Sequence, residues 1–229
     1  MPAAKCMLVP ILLLLYTVCL LFSFVCAASK ETGDTVCLQS YSSRRSSIDL
    51  LESTTIWQAC RATSAATTFF DPIAIGPFGE KFVDGALGAN NPVYELWNQA
   101  QDVWGDQLES RIMCFISIGT GLPSLKPVGD AIGSVLSTLK QIATETERKD
   151  QQFRRDKSRL EDQDLYFRFN VQRGLENIGL EESKKKNEIA AATRRYTASQ
   201  AINKRIQTCG AALARQKRQW ILLKASILG

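Results

Sequence analysis

The densest group of chemistry-bearing residues lies at Phe82-Val83-Asp84-Gly85-Ala86, where an apolar strand end delivers a carboxylate into a glycine turn. Gly88, Asn90, Asn91 and Pro92 follow directly. An Asp so placed is by default a turn former that accepts hydrogen bonds from nearby backbone amides. Its functional reading is a general base at the edge of a sheet, where the active sites of α/β folds gather. The chain contains no histidine, which excludes Ser-His-Asp or Cys-His catalysis confined to these residues and removes the commonest metal ligand. Seven cysteines, at 6, 19, 26, 37, 60, 114 and 209, form no Cys-x-x-Cys pair. They suggest neither a disulfide framework nor a zinc site, and they favour a reducing compartment. No metal and no cofactor is expected. Gly119-Thr120-Gly121 is a lone glycine pair, too little to mark a phosphate cradle.

A carboxylate at a strand end needs a sheet and helices to hold it. Ile73 to Ile75 is a short apolar run between the turn signals Asp71-Pro72 and Gly76-Pro77. Phe24 to Ala28 and Thr35 to Tyr41 bracket Thr32-Gly33-Asp34, the pattern of a hairpin. Thr55 and Gln58 have capping-box spacing at the start of a helix. That helix carries the small residues Ala59, Cys60, Ala62, Ala65 and Ala66, which allow close approach to a neighbour. A further helix starts at Pro92, whose missing N–H costs nothing there, and places Val93, Leu96, Trp97 and Ala100 on one face. Ile112 to Ile118 has the character of a buried strand closed by Gly119-Thr120-Gly121, and Tyr166 to Val171 alternates as a strand that could add an edge to the same sheet. Glu145, Glu147 and Asp150 read as solvated helix charges. From Leu180 onward, Ile189, Ala192, Tyr196, Ile202, Ile206, Cys209 and Leu213 mark one face of a long amphipathic helix.

At 229 residues, 45% hydrophobic and 22% charged, the chain can build one ordinary domain with a substantial core. Its net charge of +5 is uneven: residues 148–229 hold 19 Lys and Arg against 9 Asp and Glu, while residues 1–147 are net negative. The basic tail ends in Trp220-Ile221-Leu222-Leu223, which raises an anionic membrane surface as a second reading beside ordinary packing. Nucleic acid is not expected, because no stacking-aromatic pattern accompanies the charge. Cys6 to Ser29 carries no charge, and Leu8 to Leu21 is nearly unbroken apolar sequence ahead of Cys26, Ala27 and Ala28. This has the outline of a secretory signal or a membrane anchor. The alternative, a buried strand from Phe24 to Ala28, cannot hold for the same residues and leaves about 14 apolar residues, too few to cross a bilayer unaided. The first reading places the protein in the secretory route or on a membrane, the second in the cytoplasm.

Ile56-Trp57-Gln58-Ala59-Cys60-Arg61-Ala62-Thr63-Ser64-Ala65-Ala66-Thr67-Thr68-Phe69-Phe70, Phe82-Val83-Asp84-Gly85-Ala86, Asn90-Asn91-Pro92 and Phe115-Ile116-Ser117-Ile118-Gly119-Thr120-Gly121 resemble successive blocks of the patatin-like phospholipases, in the family's order. The hairpin from Phe24 to Tyr41 also resembles a strand pair of that family. The resemblance implies an α/β protein, here an incomplete three-layer α/β/α patatin-like domain with a C-terminal amphipathic helix. It implies hydrolysis of lipid or phospholipid esters by a serine and aspartate dyad without histidine. By position in the motif Asp84 would be the dyad aspartate, orienting the serine and taking its proton. Gly85 would permit the tight turn beside it, and Ala86 would be the tolerated variant of a second glycine. Arg61, Thr63 and Ser64 would belong, as structure, to the helix near that site.

The family's glycine-rich oxyanion loop and Gly-x-Ser-x-Gly elbow should lie upstream of the hairpin, and neither is found in these residues. Without a serine held on such a turn beside oxyanion donors, Asp84 has nothing here to activate, and the chain by itself is expected to be inactive. The expected organisation is a hydrophobic leader (signal, anchor or extraneous) at 1–21, a partial patatin-like domain at 22–205 and a basic tail at 206–229.

Overall fold

In a computed structural model of the protein, residues 22–66, 69–122, 133–176, 178 and 182–228 are described. The leader at 1–21 lies outside them. The described residues divide into two compact units, one from residues 22–108 and 133–150, the other from residues 109–122 and 151–228.

In the first unit the hairpin forms as its turn residues require. Strand β1 (Phe24–Ser29) pairs antiparallel with β2 (Thr35–Gln39), with Cys26 opposite Cys37, and Gly33 takes the positive φ of 77° that the turn needs. Of the two readings of Phe24 to Ala28, the strand is the one observed. The helices α1 (Ile48–Ser53) and α2 (Ile56–Thr63) follow. Thr55 and Gln58 form the expected capping box, the Thr55 N–H donating to Gln58 Oε1 at 2.9 Å. Strand β3 (Ile73–Ile75) turns back through glycine at 76 and 79, both at positive φ, into β4 (Glu80–Asp84). The sheet order is β2-β1-β4-β3, so β4 is an inner strand, antiparallel to both neighbours. Ala27, Leu38, Ala62, Ile75 and Phe82 form the core between sheet and helices, with Val25, Val36, Leu50, Ala59 and Ile73 packed around it. The small side chains of α2 are what let its backbone approach the sheet, and Ala62 and Ala65 are completely buried. A single helical turn, α3 (Ala86–Ala89), follows β4. Helix α4 (Val93–Trp104) then buries Val93, Trp97 and Ala100 as their spacing predicts, with Pro92 as its N-cap.

In the second unit, which begins within α5 (Leu108–Arg111), strand β5 (Phe115–Ile118) pairs in parallel with β6 (Tyr166–Phe169), Phe115 opposite Tyr166. The expectation that the later strand extends the sheet of Asp84 is corrected: among the described residues it forms a two-stranded sheet with β5. A parallel pair needs a long crossover, and α6 (Gly133–Asp156) and α7 (Ser158–Asp162) lie within it. Phe115, Phe153 and Tyr166 form an aromatic cluster with centroids 5.2–5.9 Å apart, and Phe153 is fully buried.

The single long C-terminal helix is also corrected. There are two, α8 (Lys186–Ala198) and α9 (Gln200–Leu228), separated by Ser199 in an extended conformation with φ −62° and ψ 140°. The Ser199 hydroxyl donates to the Tyr196 carbonyl while its own carbonyl accepts from the Asn203 N–H, so the serine ends one helix and starts the next. Ala192 and Cys209 are buried, whereas Ile189, Ile206 and Leu213 are each more than a third exposed.

Candidate functional site

Asp84 ends β4, with its backbone held on both sides. It stands opposite Ala27 of β1, and its N–H donates to the Ala65 carbonyl at 3.0 Å in the segment after α2. Its side chain folds forward, and Oδ1 accepts the Ala86 N–H at 2.8 Å. The turn-former reading of this residue is therefore met in geometry. The other oxygen, Oδ2, takes no hydrogen bond among the described residues. Burial of the half-buried carboxyl raises its pKa above the ordinary 3.8, against the lowering effect of the Ala86 N–H. Among the described residues one oxygen is thus tethered and the other unengaged, in a carboxylate more basic than usual.

Gly85, expected to permit the tight turn, has an ordinary helical backbone, φ −68° and ψ −6°, which does not by itself require glycine. What demands it is proximity: a Cβ would stand 2.5 Å from the Cys26 carbonyl oxygen and 2.7 Å from its carbon. The same carbonyl accepts a buried hydrogen bond from Thr63 Oγ1 at 2.6 Å. The end of α2, the middle of β1 and the turn after Asp84 therefore converge on one backbone oxygen. Ala86 supplies the N–H that fixes Asp84 and opens α3.

Arg61 extends from α2 over the Phe70 ring, 4.7 Å from its centroid, and donates to the Asp71 carbonyl at 2.8 Å. It secures the far end of the segment whose near end receives the Asp84 N–H. Ser64 donates to the Cys60 carbonyl within its own helix. Arg61, Thr63 and Ser64 each donate to a backbone carbonyl.

The loop beyond α3 is held by Thr146 and Lys149, which sequence reading passed over. Asn90 Nδ2 donates to Thr146 Oγ1 at 2.7 Å, Asn91 Nδ2 donates to the Thr146 carbonyl at 3.2 Å, and Lys149 Nζ donates to the Gly88 carbonyl. Lys149 also lies 3.8 Å from Glu95. The one available signal was a helix bearing Thr146 and Lys149 one turn apart, which names no partner. Asp150, read as solvated, is buried at 6% exposure. Gly88, Asn90, Asn91, Thr146 and Lys149 line a cavity of only about 10 Å³, and a cleft of about 260 Å³ runs along β2. Asp84 lines neither.

An α/β sheet whose inner strand ends in Asp-Gly-Ala, with the aspartate tethered by the amide two residues on, is the setting in which residues 35–97 match the family model of patatin-like phospholipases. The resemblance read from the sequence therefore holds for that stretch. Among curated proteins, "Phospholipase A I" of Arabidopsis thaliana is 39% identical over 66 residues, 29% of this chain and 5% of that protein. "Calcium-independent phospholipase A2-gamma" of Oryctolagus cuniculus is 32% identical over 133 residues, 56% of this chain and 16% of that protein. Its Homo sapiens counterpart is 33% identical over 137 residues. The chain thus spans a small fraction of the length of the curated relatives it matches.

Proposed function

We propose that this chain carries the aspartate side of a serine and aspartate dyad for lipid acyl ester hydrolysis, with Asp84 as the dyad base. The observation that carries the reading is the asymmetry of the carboxylate: Oδ1 held by the Ala86 N–H, Oδ2 unengaged among the described residues, and the pKa raised by burial. A base whose pKa is lifted toward neutrality takes a proton more readily from a serine hydroxyl. The lipid and phospholipid substrate class follows from the names of the relatives. Residues 22–205 are taken as the patatin-like part and 206–229 as a basic tail.

These 229 residues contain no Gly-x-Ser-x-Gly, so we infer that they do not hydrolyse esters unaided. The test is turnover of p-nitrophenyl butyrate by the purified chain and by Asp84→Asn. Neither is expected to exceed the buffer rate. Turnover that disappears with Asp84→Asn would overturn this inference and point to a different serine as the nucleophile.

A second reading, lipid-surface binding without catalysis, is favoured by one observation. Trp57 and Phe78 are 64% and 91% exposed, with Phe69 and Phe70 also exposed in the segment beside Asp84. Cosedimentation with phosphatidylcholine and phosphatidylserine vesicles that falls on Phe78→Ser would support it. Absence of cosedimentation would remove it.

A further inference from the structure

The second unit contains two cysteines brought together from distant parts of the chain. Cys114 immediately precedes β5, Cys209 lies on α9, and their sulfurs are 3.7 Å apart as reduced thiols. A disulfide bond is about 2.05 Å long, so forming one requires the sulfurs to close by less than 2 Å. Cys209 is buried and Cys114 half-buried, so Cys114 is the one open to a small oxidant.

The position of the pair gives a bond between them a consequence. One turn before Cys209, on the same face of α9, Arg205 Nη2 donates to the Tyr166 carbonyl at 3.1 Å and lies 5.8 Å from the centroid of Phe167. Arg205 and Cys209 are thus points where α9 meets the β5–β6 sheet. Ile206 and Leu213 on the same helix remain more than a third exposed. A covalent tie at this point would suppress local opening of the helix.

We propose that Cys114 and Cys209 are a reversible disulfide site that latches α9 onto the β5–β6 sheet, with a hydroperoxide as oxidant. The Cys114 sulfur, as thiolate, attacks the terminal peroxide oxygen. The O–O bond breaks, an alcohol or water leaves, and Cys114 becomes a sulfenic acid. The Cys209 sulfur then attacks that sulfur, forming the S–S bond and expelling hydroxide, which takes up the thiol proton and departs as water. Two thiols lose two electrons and two protons, and the hydroperoxide is reduced to alcohol and water.

Burial pushes the Cys114 thiol up to about 12, with Cys209 adding to the effect, and raises Cys209 as well. The thiolate is scarce at neutral pH, so the latch closes slowly there and its rate should rise about tenfold per pH unit between pH 7 and 9.

The test is hydrogen peroxide treatment of the whole folded chain, then alkylation, digestion and mass spectrometry. The expected product is one dominant linked peptide pair containing Cys114 and Cys209. Dithiothreitol reverses it, both Cys114→Ser and Cys209→Ser lack it, and amide exchange around residues 205–213 slows by about tenfold or more in the oxidised protein. Mapping the wild-type link stands even if a serine variant fails to fold. Separate sulfinic acids at the two positions, pairing of either with another cysteine, or no reaction at any pH from 7 to 9 would overturn the proposal.

Discussion

Replacing Gly85 by alanine tests whether the geometry around Asp84 is set by close approach or by backbone conformation. At φ −68° alanine adopts the same backbone without strain, and reduced freedom of the unfolded chain favours it by about 0.4–1 kcal/mol. Against this, the new methyl would sit 2.5 Å from the Cys26 carbonyl oxygen. Reaching a normal carbon–oxygen contact of about 3.3 Å requires roughly 0.8 Å of movement. The obstacle is backbone in the middle of β1, paired on one side to β2 and on the other to β4, so it cannot swing away as a side chain would. Overpacking of this kind costs about 1–3 kcal/mol, and at mid-range the two effects leave a net loss of about 1–2 kcal/mol. With a urea m-value of about 2 kcal/mol/M, the unfolding midpoint should fall by roughly 0.5–1 M. Gly88→Ala is the matched control, because its methyl meets a side-chain atom, Thr35 Oγ1, at 2.5 Å. Thr35 can change rotamer, so this variant should lose less than about 1 kcal/mol. Urea unfolding followed by tryptophan fluorescence measures both. A Gly85→Ala midpoint equal to wild type, or a Gly88→Ala loss as large as that of Gly85→Ala, would refute the close-approach explanation.

Other expectations concern the same framework. Because burial raises the folded-state pKa of Asp84, its contribution to stability is fully present below the ordinary carboxylate pKa and is lost as pH rises through the folded-state value. Asp84→Asn keeps an acceptor for the Ala86 N–H and removes that loss, so its urea midpoint should exceed wild type by more at pH 7 than at pH 4; a difference independent of pH would contradict the assignment. Thr63→Val deletes the buried hydrogen bond to the Cys26 carbonyl and should cost about 1–2 kcal/mol in the same assay, with no loss ruling out its role as a tie between α2 and β1. Phe153→Ala empties the centre of the aromatic cluster beneath β5 and β6 and should cost about 3–5 kcal/mol, seen as early loss of amide protection at Phe115 to Ile118; unchanged protection there would show that the cluster does not hold that pair.

What sequence could disclose was local. The hairpin at Gly33, the capping box of Thr55 and Gln58, the inward face of α4 and the strand end at Asp84 each depend on residues within a turn or two of one another, and each appears as expected. The failures lie where partners are distant in sequence. No pattern in Thr63 names Cys26, and none in Asn90 and Asn91 names Thr146. The close approach that excludes a side chain at position 85 comes from a carbonyl on another strand, which no local pattern names. Tyr166 to Phe169 has a legible strand pattern, yet its partner, β5, lies across a crossover that alternation alone cannot identify. Asp150 looked solvated because its charge, not its neighbours, was visible. Ser199 falls in the six-residue step between Tyr196 and Ile202, where the apolar spacing of three and four lapses, and its hydrogen bonds show the break.

The most direct test of the role proposed for Asp84 is a chimaera. Residues 24–104 of this chain replace the matching segment of the rabbit calcium-independent phospholipase A2-gamma, and release of fatty acid from phosphatidylcholine is measured with and without Asp84→Asn. Activity in the chimaera that falls by about 10³-fold or more in the Asn variant, with the folded structure retained, is the expected result for a dyad base. A folded chimaera whose activity is unchanged by Asp84→Asn would contradict it and leave Asp84 as a turn residue alone.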